Sequence, residues 1–236
     1  MTQSNTPTTE PMFSAIARRY DLCNHLFSFG LDFYWRHKAA AIACDGPIIS
    51  ALDLCCGTGD MTFALAKTGQ LHSIIGCDIA RPMLDIAAQK AKKYAATNTT
   101  IQWHCASAEN TGLPEAAFDR ITCAFGFRNV DDLPAALKES HRLLKPGGKL
   151  CILEFFLPQQ GLSRRIYLFY LCRIMPLVAG WIVGTSAPWH YLAQSIHRWE
   201  TVDLTAQLRH TGFRDIIVRS LTFGTVRIHT AQKGTP

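Results

Sequence analysis

Short apolar runs alternate with amphipathic segments through most of the chain. Apolar runs of strand length predict buried strands, and the longer segments with apolar residues at helical spacing predict helices. The strands are expected at Ile48–Leu54, Ile74–Cys77, Ile101–Cys105, Phe118–Phe125 and Lys149–Phe155, and the helices at Met61–Lys67, Pro82–Tyr94 and Leu133–Leu144. Such alternation indicates a parallel sheet with helices on both faces, and right-handed crossovers place a ligand at the carboxyl ends of the strands.

The C-terminal part departs from this alternation. A helix at Asp203–His210 is followed by two short apolar runs, Ile216–Val218 and Val226–His229, which a turn at Phe223-Gly224 joins. This pattern predicts a hairpin at the edge of the sheet. The expected fold class is therefore α/β, with a doubly wound, mostly parallel seven-stranded sheet, helices on both faces and an antiparallel C-terminal edge hairpin.

Residues 1–11 are rich in Thr, Ser, Asn and Pro and are expected to form a disordered leader. Residues 12–236 then form a single domain. Within it, residues 12–45 are helical and unusually aromatic. This N-terminal segment either packs against the domain or forms a lid over a ligand pocket, and the pattern favours neither.

Residues 160–200 contain a strongly apolar stretch, Ile166–Gly184, which approaches the length of a membrane span. Arg173 and Pro176 lie in its middle and argue against a span, and Arg164 and Arg165 lie at its start. We expect helices that cap an apolar substrate pocket or contact a membrane surface. A plain pair of core helices is the alternative.

The amino-acid composition indicates more about the cellular environment of the protein than about its reaction. The chain has 236 residues, 48% of them hydrophobic, and a formal net charge of +6, which suits an anionic membrane surface as well as nucleic acid. Its nine cysteines include no Cys-x-x-Cys pair, so we predict no metal site and expect mostly buried thiols in a reducing cytosol.

The candidate chemistry centres on a glycine turn after the first strand. The turn contains Gly57 and Gly59, and Asp53 and Asp60 flank it. Glycines let the backbone bend and let a ligand approach closely. A pyrophosphate at this turn would be repelled by the two carboxylates, whereas the ammonium and sulfonium of S-adenosylmethionine would be attracted.

Asp78 ends the second strand, about 20 residues past the glycines, where a carboxylate usually binds the two ribose hydroxyls of a nucleotide. The third glycine of a dinucleotide fingerprint is replaced by Thr62. Together these features favour S-adenosylmethionine over a nicotinamide cofactor. The alternative is that Asp53 and Asp78 only close turns at strand ends.

With these features in place, the chain resembles the menaquinone/ubiquinone C-methyltransferase family within the class I S-adenosylmethionine-dependent methyltransferases. The matching segments span nearly the whole chain. They are Arg19-Tyr20-Asp21-Leu22, Ser28-Phe29-Gly30, Asp53–Asp60, Phe125-Gly126-Phe127-Arg128-Asn129-Val130, Leu144-Lys145-Pro146-Gly147-Gly148, Leu153-Glu154-Phe155 and Tyr191-Leu192-Ala193-Gln194-Ser195-Ile196. The segments around Arg128 and around Tyr191 are the ones most particular to this family.

The resemblance implies cofactor contacts at Thr58, Asp78, Ser107 and Ala108. It implies methylation of a ring carbon of a prenylated quinol, most simply demethylmenaquinol. Arg128 lies just past the fourth strand and would stabilise a developing phenolate; it is a poor base because its pKa is above about 12. Asn129 would position the substrate.

Tyr20 in the lid and His190 in the cap are further candidates for contact with the substrate, although a lone histidine is more often structural. No His-Asp pair at an informative spacing identifies a general base.

The expected setting is the cytoplasm, with peripheral contact at the inner face of the membrane, no nucleic acid, and an oligomeric state, including a homodimer, left open. Alternatives are methylation of a benzoquinol in ubiquinone synthesis, a methyltransferase acting on RNA, a nicotinamide dehydrogenase, and a non-catalytic cofactor-binding subunit of a quinone-synthesis complex. Scattered basic residues speak against RNA, and fold alone does not exclude the silent subunit.

Overall fold

A computed structural model describes residues 21–46, 48–94, 98–183 and 187–235. The predicted leader and Tyr20 lie outside the described residues. The seven strands are β1 (Ser50–Leu54), β2 (Ser73–Asp78), β3 (Thr100–Cys105), β4 (Phe118–Ala124), β5 (Leu144–Phe155), β6 (Phe213–Leu221) and β7 (Val226–Lys233). The helices are α1 (residues 21–27), α2 (Leu31–Ala43), α3 (Asp60–Ala66), α4 (Arg81–Ala91), α5 (Leu133–Leu143), α6 (Leu162–Phe169), α7 (Met175–Val183), α8 (Ala187–Trp199) and α9 (Leu204–Thr211).

The strands form one sheet in the order β3-β2-β1-β4-β5-β7-β6. The first five strands of this order are parallel, and β7 pairs antiparallel with both β5 and β6. The predicted fold class, with its antiparallel edge hairpin, is therefore confirmed. The order reverses at β1, so the carboxyl ends of β1, β2 and β4 lie side by side, which is where a doubly wound sheet binds its ligand.

Two apolar cores cover the two faces of the sheet. One lies under α5 and α9 and includes Leu52, Ile121 and Ile152, and the other lies under α2 and α3 and includes Ala39, Leu65 and Leu153. Adjacent residues of one strand, such as Ile152 and Leu153, belong to opposite cores because side chains alternate along a strand.

A third core joins α1 to helices α6, α7 and α8, which we call the cap. Cys23 and Phe27 of α1 pack with Leu171, Met175 and Trp189. A π-helical turn, Tyr170–Ile174, connects α6 to α7, and Gly30 (φ +73°) separates α1 from α2 in the left-handed region. Among the helices within the described residues, none combines the length and hydrophobicity that crossing a bilayer requires.

Two predicted boundaries differ from the structure. The fifth strand was expected from Lys149 but begins at Leu144, because Leu144 already pairs with Phe118 before a shift in register. The hairpin strands are also longer than their apolar runs, since β6 and β7 continue to pair from Phe213 opposite Lys233 to Leu221 opposite Val226. The apolar pattern in the sequence indicates only which residues are buried. Polar residues of an exposed edge strand form the same backbone hydrogen bonds, so the strand extends beyond its apolar run.

Candidate active site

The glycine turn leaves β1 in a left-handed conformation. Cys55, Gly57 and Gly59 all have positive φ, at 53°, 56° and 88°. A Cβ on Gly59 would lie 2.8 Å from Trp103, so only glycine fits there. A Cβ on Gly57 would have no described atom within 4 Å. The backbone at Gly57 is therefore open to a ligand on the side where a side chain would project.

Asp78 lies beside this opening at the end of β2. Its carboxylate accepts hydrogen bonds from the Gly57 N–H at 2.8 Å and the Ala80 N–H at 2.9 Å. Burial raises its pKa, and these amide bonds oppose the rise. The next side chain, Ile79, is 55% exposed. The site thus presents a fixed carboxylate next to an exposed apolar side chain, which suits a ribose diol and the flat base attached to it.

Asp53 lies beneath the turn and is fully buried. Its two oxygens accept hydrogen bonds from the Thr62 hydroxyl at 2.6 Å and the Thr122 hydroxyl at 2.8 Å. Burial raises its pKa to about 6, and these hydroxyls hold it lower than burial alone would. Asp53 thereby fastens α3 and β4 to β1. Because both carboxylate oxygens are hydrogen-bonded inside the protein, Asp53 would act on a cofactor through the electrostatic field of its charge and not through a direct hydrogen bond.

Thr58 and Asp60 connect the turn to the first helix. The Thr58 hydroxyl donates to Asp21 Oδ1 at 2.5 Å. Lys90 of α4 binds Asp60 at 2.5 Å and Asp21 at 2.9 Å. We call this group of Asp21, Thr58, Asp60 and Lys90 the ionic latch, since it holds α1 against the glycine turn.

Ser107 and Ala108 follow β3 at the same edge of the sheet. The Ala106 N–H donates to the carbonyl of Asp78 at 3.2 Å, which places this segment next to the carboxylate. The Ser107 hydroxyl donates to Glu109 at 2.8 Å, and Ala108 is buried. The structure therefore brings together Gly57, Thr58, Gly59, Asp78, Ser107 and Ala108 at one edge of the sheet. Their contact with a cofactor stays a prediction.

An aromatic pocket lies between α1, α2 and the cap helices. Its empty space measures about 930 Å³, a volume that includes the open solvent at its mouth. Aromatic side chains dominate its lining, and among them are Phe27, Trp35, Phe125, Phe155, Tyr167 and Trp189. Asp32, Arg36 and Arg128 are its charged residues. A Cβ on Gly126 would overlap the Cβ of Cys55, so the loop after β4 touches the glycine turn and the pocket adjoins it.

Arg128 is a charged residue of this pocket and lies in the loop that follows β4. Its Nη1 donates to the carbonyl of Phe125 at 2.5 Å and to Glu154 at 2.6 Å, and its Nε donates to Ser195 at 3.3 Å. Its Nη2 has no hydrogen-bond partner among the residues that the structure describes. Glu154 is fully buried, and burial raises its pKa while Arg128 opposes the rise. The guanidinium, which belongs to the pocket lining, is thus held rigidly through its Nη1 and Nε.

Asn129 lies in the same loop but does not line the pocket. Its side-chain N–H donates to the carbonyl of Phe125 at 3.3 Å, and its oxygen accepts from the Tyr191 hydroxyl at 3.2 Å. Asn129 therefore positions a pocket residue. His190, the candidate from the cap, is exposed on α8 and is likewise absent from the lining.

A second charged group lies between α1 and α2. His25 Nδ1 lies 2.8 Å from Asp32, and the ligand atoms of His25, Asp32 and Asp60 all lie within 4.8 Å of one another. Arg36 lies 2.5 Å from Asp32 and 4.0 Å from Asp60. The guanidinium supplies the positive charge that a metal ion would bring, so this group is better described as an ion-pair network.

Sequence reasoning missed Lys90, Glu154 and Tyr191 as parts of the site. Glu154 carried a signal, because a carboxylate inside an otherwise apolar buried strand needs a partner. Lys90 carried none, since it lies on the polar side of an ordinary amphipathic helix and its partner Asp21 is 69 residues away.

The comparisons with known proteins agree with this geometry. A family model described as the ubiE/COQ5 methyltransferase family matches residues 1–233. The chain is 39% identical over 223 residues to the demethylmenaquinone methyltransferase of Thermus thermophilus, covering 94% of this chain and 100% of that protein. It is 37% identical over 227 residues to the ubiquinone/menaquinone biosynthesis C-methyltransferase UbiE of Geobacter sulfurreducens, covering 94% and 87%.

Solved structures share the fold at lower identity. An S-adenosylmethionine-dependent methyltransferase from Thermotoga maritima superposes with a TM-score of 0.64 at 18% identity, covering 95% of this chain and 99% of that one. Phosphoethanolamine N-methyltransferase 2 of Haemonchus contortus, solved with S-adenosyl-L-methionine, gives a TM-score of 0.59 at 16% identity, covering 84% and 52%. Fold, site geometry and a match that spans nearly the whole chain lead to one conclusion: this protein belongs to the ubiE/COQ5 methyltransferase family.

Proposed function

We propose that this methyltransferase transfers the methyl group of S-adenosylmethionine to a ring carbon of a prenylated quinol, with demethylmenaquinol as the first candidate. The observation that carries the proposal is the aromatic pocket with Arg128, which adjoins the glycine turn through the contact of Gly126 with Cys55. A flat, apolar, weakly acidic acceptor would fit such a pocket. The names of the relatives from Thermus and Geobacter support the same substrate class.

The residues at the carboxyl edge fit this cofactor. Asp78 would bind the ribose hydroxyls, Ile79 would contact the adenine face, and the open backbone at Gly57 would let the amino-acid part approach. Ser107 and Ala108 would border the adenine. When bound there, S-adenosylmethionine would supply an electrophilic methyl group on a positively charged sulfur.

The pocket residues would make the quinol reactive. A quinol ring carbon is more nucleophilic when a hydroxyl has lost its proton, and the positive charge of Arg128 would stabilise that phenolate. Its bonds to Glu154 and to the Phe125 carbonyl fix the guanidinium in advance, so little reorganisation is needed. Phe125 and Phe155 stack with ring centroids 4.3 Å apart and would exclude water from one wall.

The cap would also bring the enzyme to its prenylated substrate. Leu162, Ile166, Phe169, Leu177 and Trp181 are exposed along α6 and α7, and Trp181 is 91% exposed. No Asp or Glu occurs from Leu162 to Val183, whereas three arginines do. An apolar helical face with positive charge suits peripheral binding to anionic lipid. We include this membrane contact, and closure of the lid over the cofactor, in the proposal.

The reaction is tested with labelled S-adenosylmethionine and a short-tailed demethylnaphthoquinol under reducing conditions, with a demethylated benzoquinol precursor in parallel. Methylation of the naphthoquinol alone would indicate an enzyme of menaquinone synthesis. Methylation of both substrates would indicate an enzyme that acts in the synthesis of both menaquinone and ubiquinone. Cofactor binding without methylation of either would contradict the proposal and favour a silent cofactor-binding subunit.

The membrane contact is tested by sedimentation with vesicles that contain anionic phospholipid. We expect Trp181→Ser to lower the bound fraction severalfold. Ile49→Ser is the matched control, because Ile49 is also exposed (60%) but lies at the opposite, amino edge of the sheet. Equal binding by both variants would contradict a docking role for the cap.

A further inference from the structure

The pocket contains a tyrosine whose hydroxyl is not used by the fold. Tyr167 of α6 lines the pocket and is partly buried. Its hydroxyl makes no hydrogen bond to any residue of the described ranges, and it is not among the fully buried polar atoms that lack a partner there. A phenol placed in this way is available to a ligand.

The two other tyrosines of the lining show what a structural role looks like. The Tyr170 hydroxyl donates to the carbonyl of Phe27 at 2.8 Å and so ties the cap to α1. The Tyr191 hydroxyl donates to Asn129 at 3.2 Å and so ties α8 to the loop after β4. Tyr167 lines the same pocket, and its ring packs with the core that joins α1 to the cap.

The charges around Tyr167 favour a hydrogen-bond donor. Burial raises its pKa, the positive charge of Arg128 opposes that rise, and Glu154 and Tyr170 add to it. The phenol therefore keeps its proton at neutral pH. Arg128 lines the same pocket as Tyr167, and its Nη2 has no partner among the described side chains and carbonyls.

We propose that Tyr167 is a further catalytic residue, whose hydroxyl donates a hydrogen bond to the same quinol oxygen that Arg128 stabilises. This inference rests on the proposed function. The quinol hydroxyl loses its proton to water, and the ring carbon then forms its bond to the methyl group while the carbon–sulfur bond breaks with its electron pair going to sulfur. The methylated ring carbon releases its proton, the oxygen regains one, and Tyr167 keeps its own proton throughout.

The expected consequence is a change in pH dependence. A free phenolic hydroxyl titrates near pH 10, so the ionised fraction limits the rate at neutral pH. Two donors, Arg128 and Tyr167, raise that fraction by lowering the pKa of the bound quinol. Loss of one donor should move the rising limb of the kcat profile about one pH unit upward, which is a tenfold loss at neutral pH that recovers at high pH.

The test compares Tyr167→Phe with wild type and with Tyr34→Phe, a control on α2 that is half exposed and outside the aromatic pocket. The measurement is kcat and KM against pH with reduced short-tailed demethylnaphthoquinol, together with cofactor affinity and Tm. We expect the upward shift in Tyr167→Phe alone, with cofactor affinity unchanged. An unshifted profile, or an equal loss at every pH, would overturn the role of Tyr167 while leaving the proposed function intact. Absence of turnover in wild type would overturn both.

Discussion

The two halves of the site are built in different ways. In the cofactor half, the strand ends and their following turns supply the functional groups, and backbone amides and threonine hydroxyls hold Asp53 and Asp78. In the aromatic pocket, side chains from α1, α2, α6 and α8 meet, and a buried ion pair holds Arg128. The functional groups of the first half follow strand ends in short sequence motifs, whereas those of the second half come from separate helices. The two should therefore respond differently to substitution.

The largest effect is expected from Arg128→Met. The substitution removes the charge from the pocket and leaves the fully buried carboxylate of Glu154 without its partner. We expect turnover to fall about 100-fold or more and the free energy of unfolding to fall by about 3–5 kcal/mol. Initial rates of methyl transfer and urea unfolding provide the two measurements.

The double variant Arg128→Met with Glu154→Leu separates these effects. Replacing both partners of a buried ion pair by apolar side chains is often neutral for stability. We expect the double variant to regain stability and to remain inactive. If it regained turnover together with stability, Arg128 would act only through the fold, and the difference between the two halves of the site would disappear.

In the cofactor half, Asp78→Asn should weaken cofactor binding without unfolding the protein. We expect the Kd for S-adenosylhomocysteine, measured by calorimetry, to rise about 100-fold, because a charged acceptor of hydrogen bonds is lost. Asp119→Asn is the matched control. Asp119 also accepts from backbone amides, those of Ile49 and Ser50, but at the amino edge of the sheet. Equal weakening in both variants would place the effect in the sheet and not in the ligand contact.

The same difference explains what the sequence could predict. The order of strands and helices, the glycine turn and Asp78 follow from short-range patterns, because each depends on residues within one strand–turn–helix unit. The partners of Arg128 could not be predicted, since Glu154 and Ser195 lie 26 and 67 residues away. The free hydroxyl of Tyr167 was hidden as well, because an aromatic residue in an apolar helix fits a packing role equally well.

A smaller effect concerns the charge under the glycine turn. The pKa of Asp53 is raised to about 6, above the ordinary value of 3.8, so the folded protein binds more protons than the unfolded chain between these values. Its contribution to stability is therefore full below about pH 4 and is lost as the pH rises through 6.

Asp53→Asn should remove this loss. We expect its Tm relative to wild type to rise by about 5 °C between pH 4 and pH 7, which corresponds to about 2 kcal/mol. Scanning fluorimetry of the cofactor-free protein measures the difference at each pH, so that the titration of other carboxylates cancels. A constant difference would mean that Asp53 titrates normally. Saturating cofactor should reduce the dependence, if its positive charge keeps Asp53 ionised.

The smallest effect tests the ionic latch, where the two halves meet. Lys90→Met leaves Asp21 and Asp60 without their shared cation, and partly exposed ion pairs of this kind contribute up to about 1 kcal/mol. We expect the cofactor Kd to rise about threefold and amide exchange in residues 21–27 to quicken, while the exposed Lys93→Met leaves both unchanged. Faster amide exchange with an unchanged Kd would show that α1 packs beside the glycine turn without covering the bound cofactor. Slower exchange on cofactor binding in wild type, weakened in Lys90→Met, would instead identify α1 as a lid, because the cofactor and the latch would then stabilise the same closed arrangement.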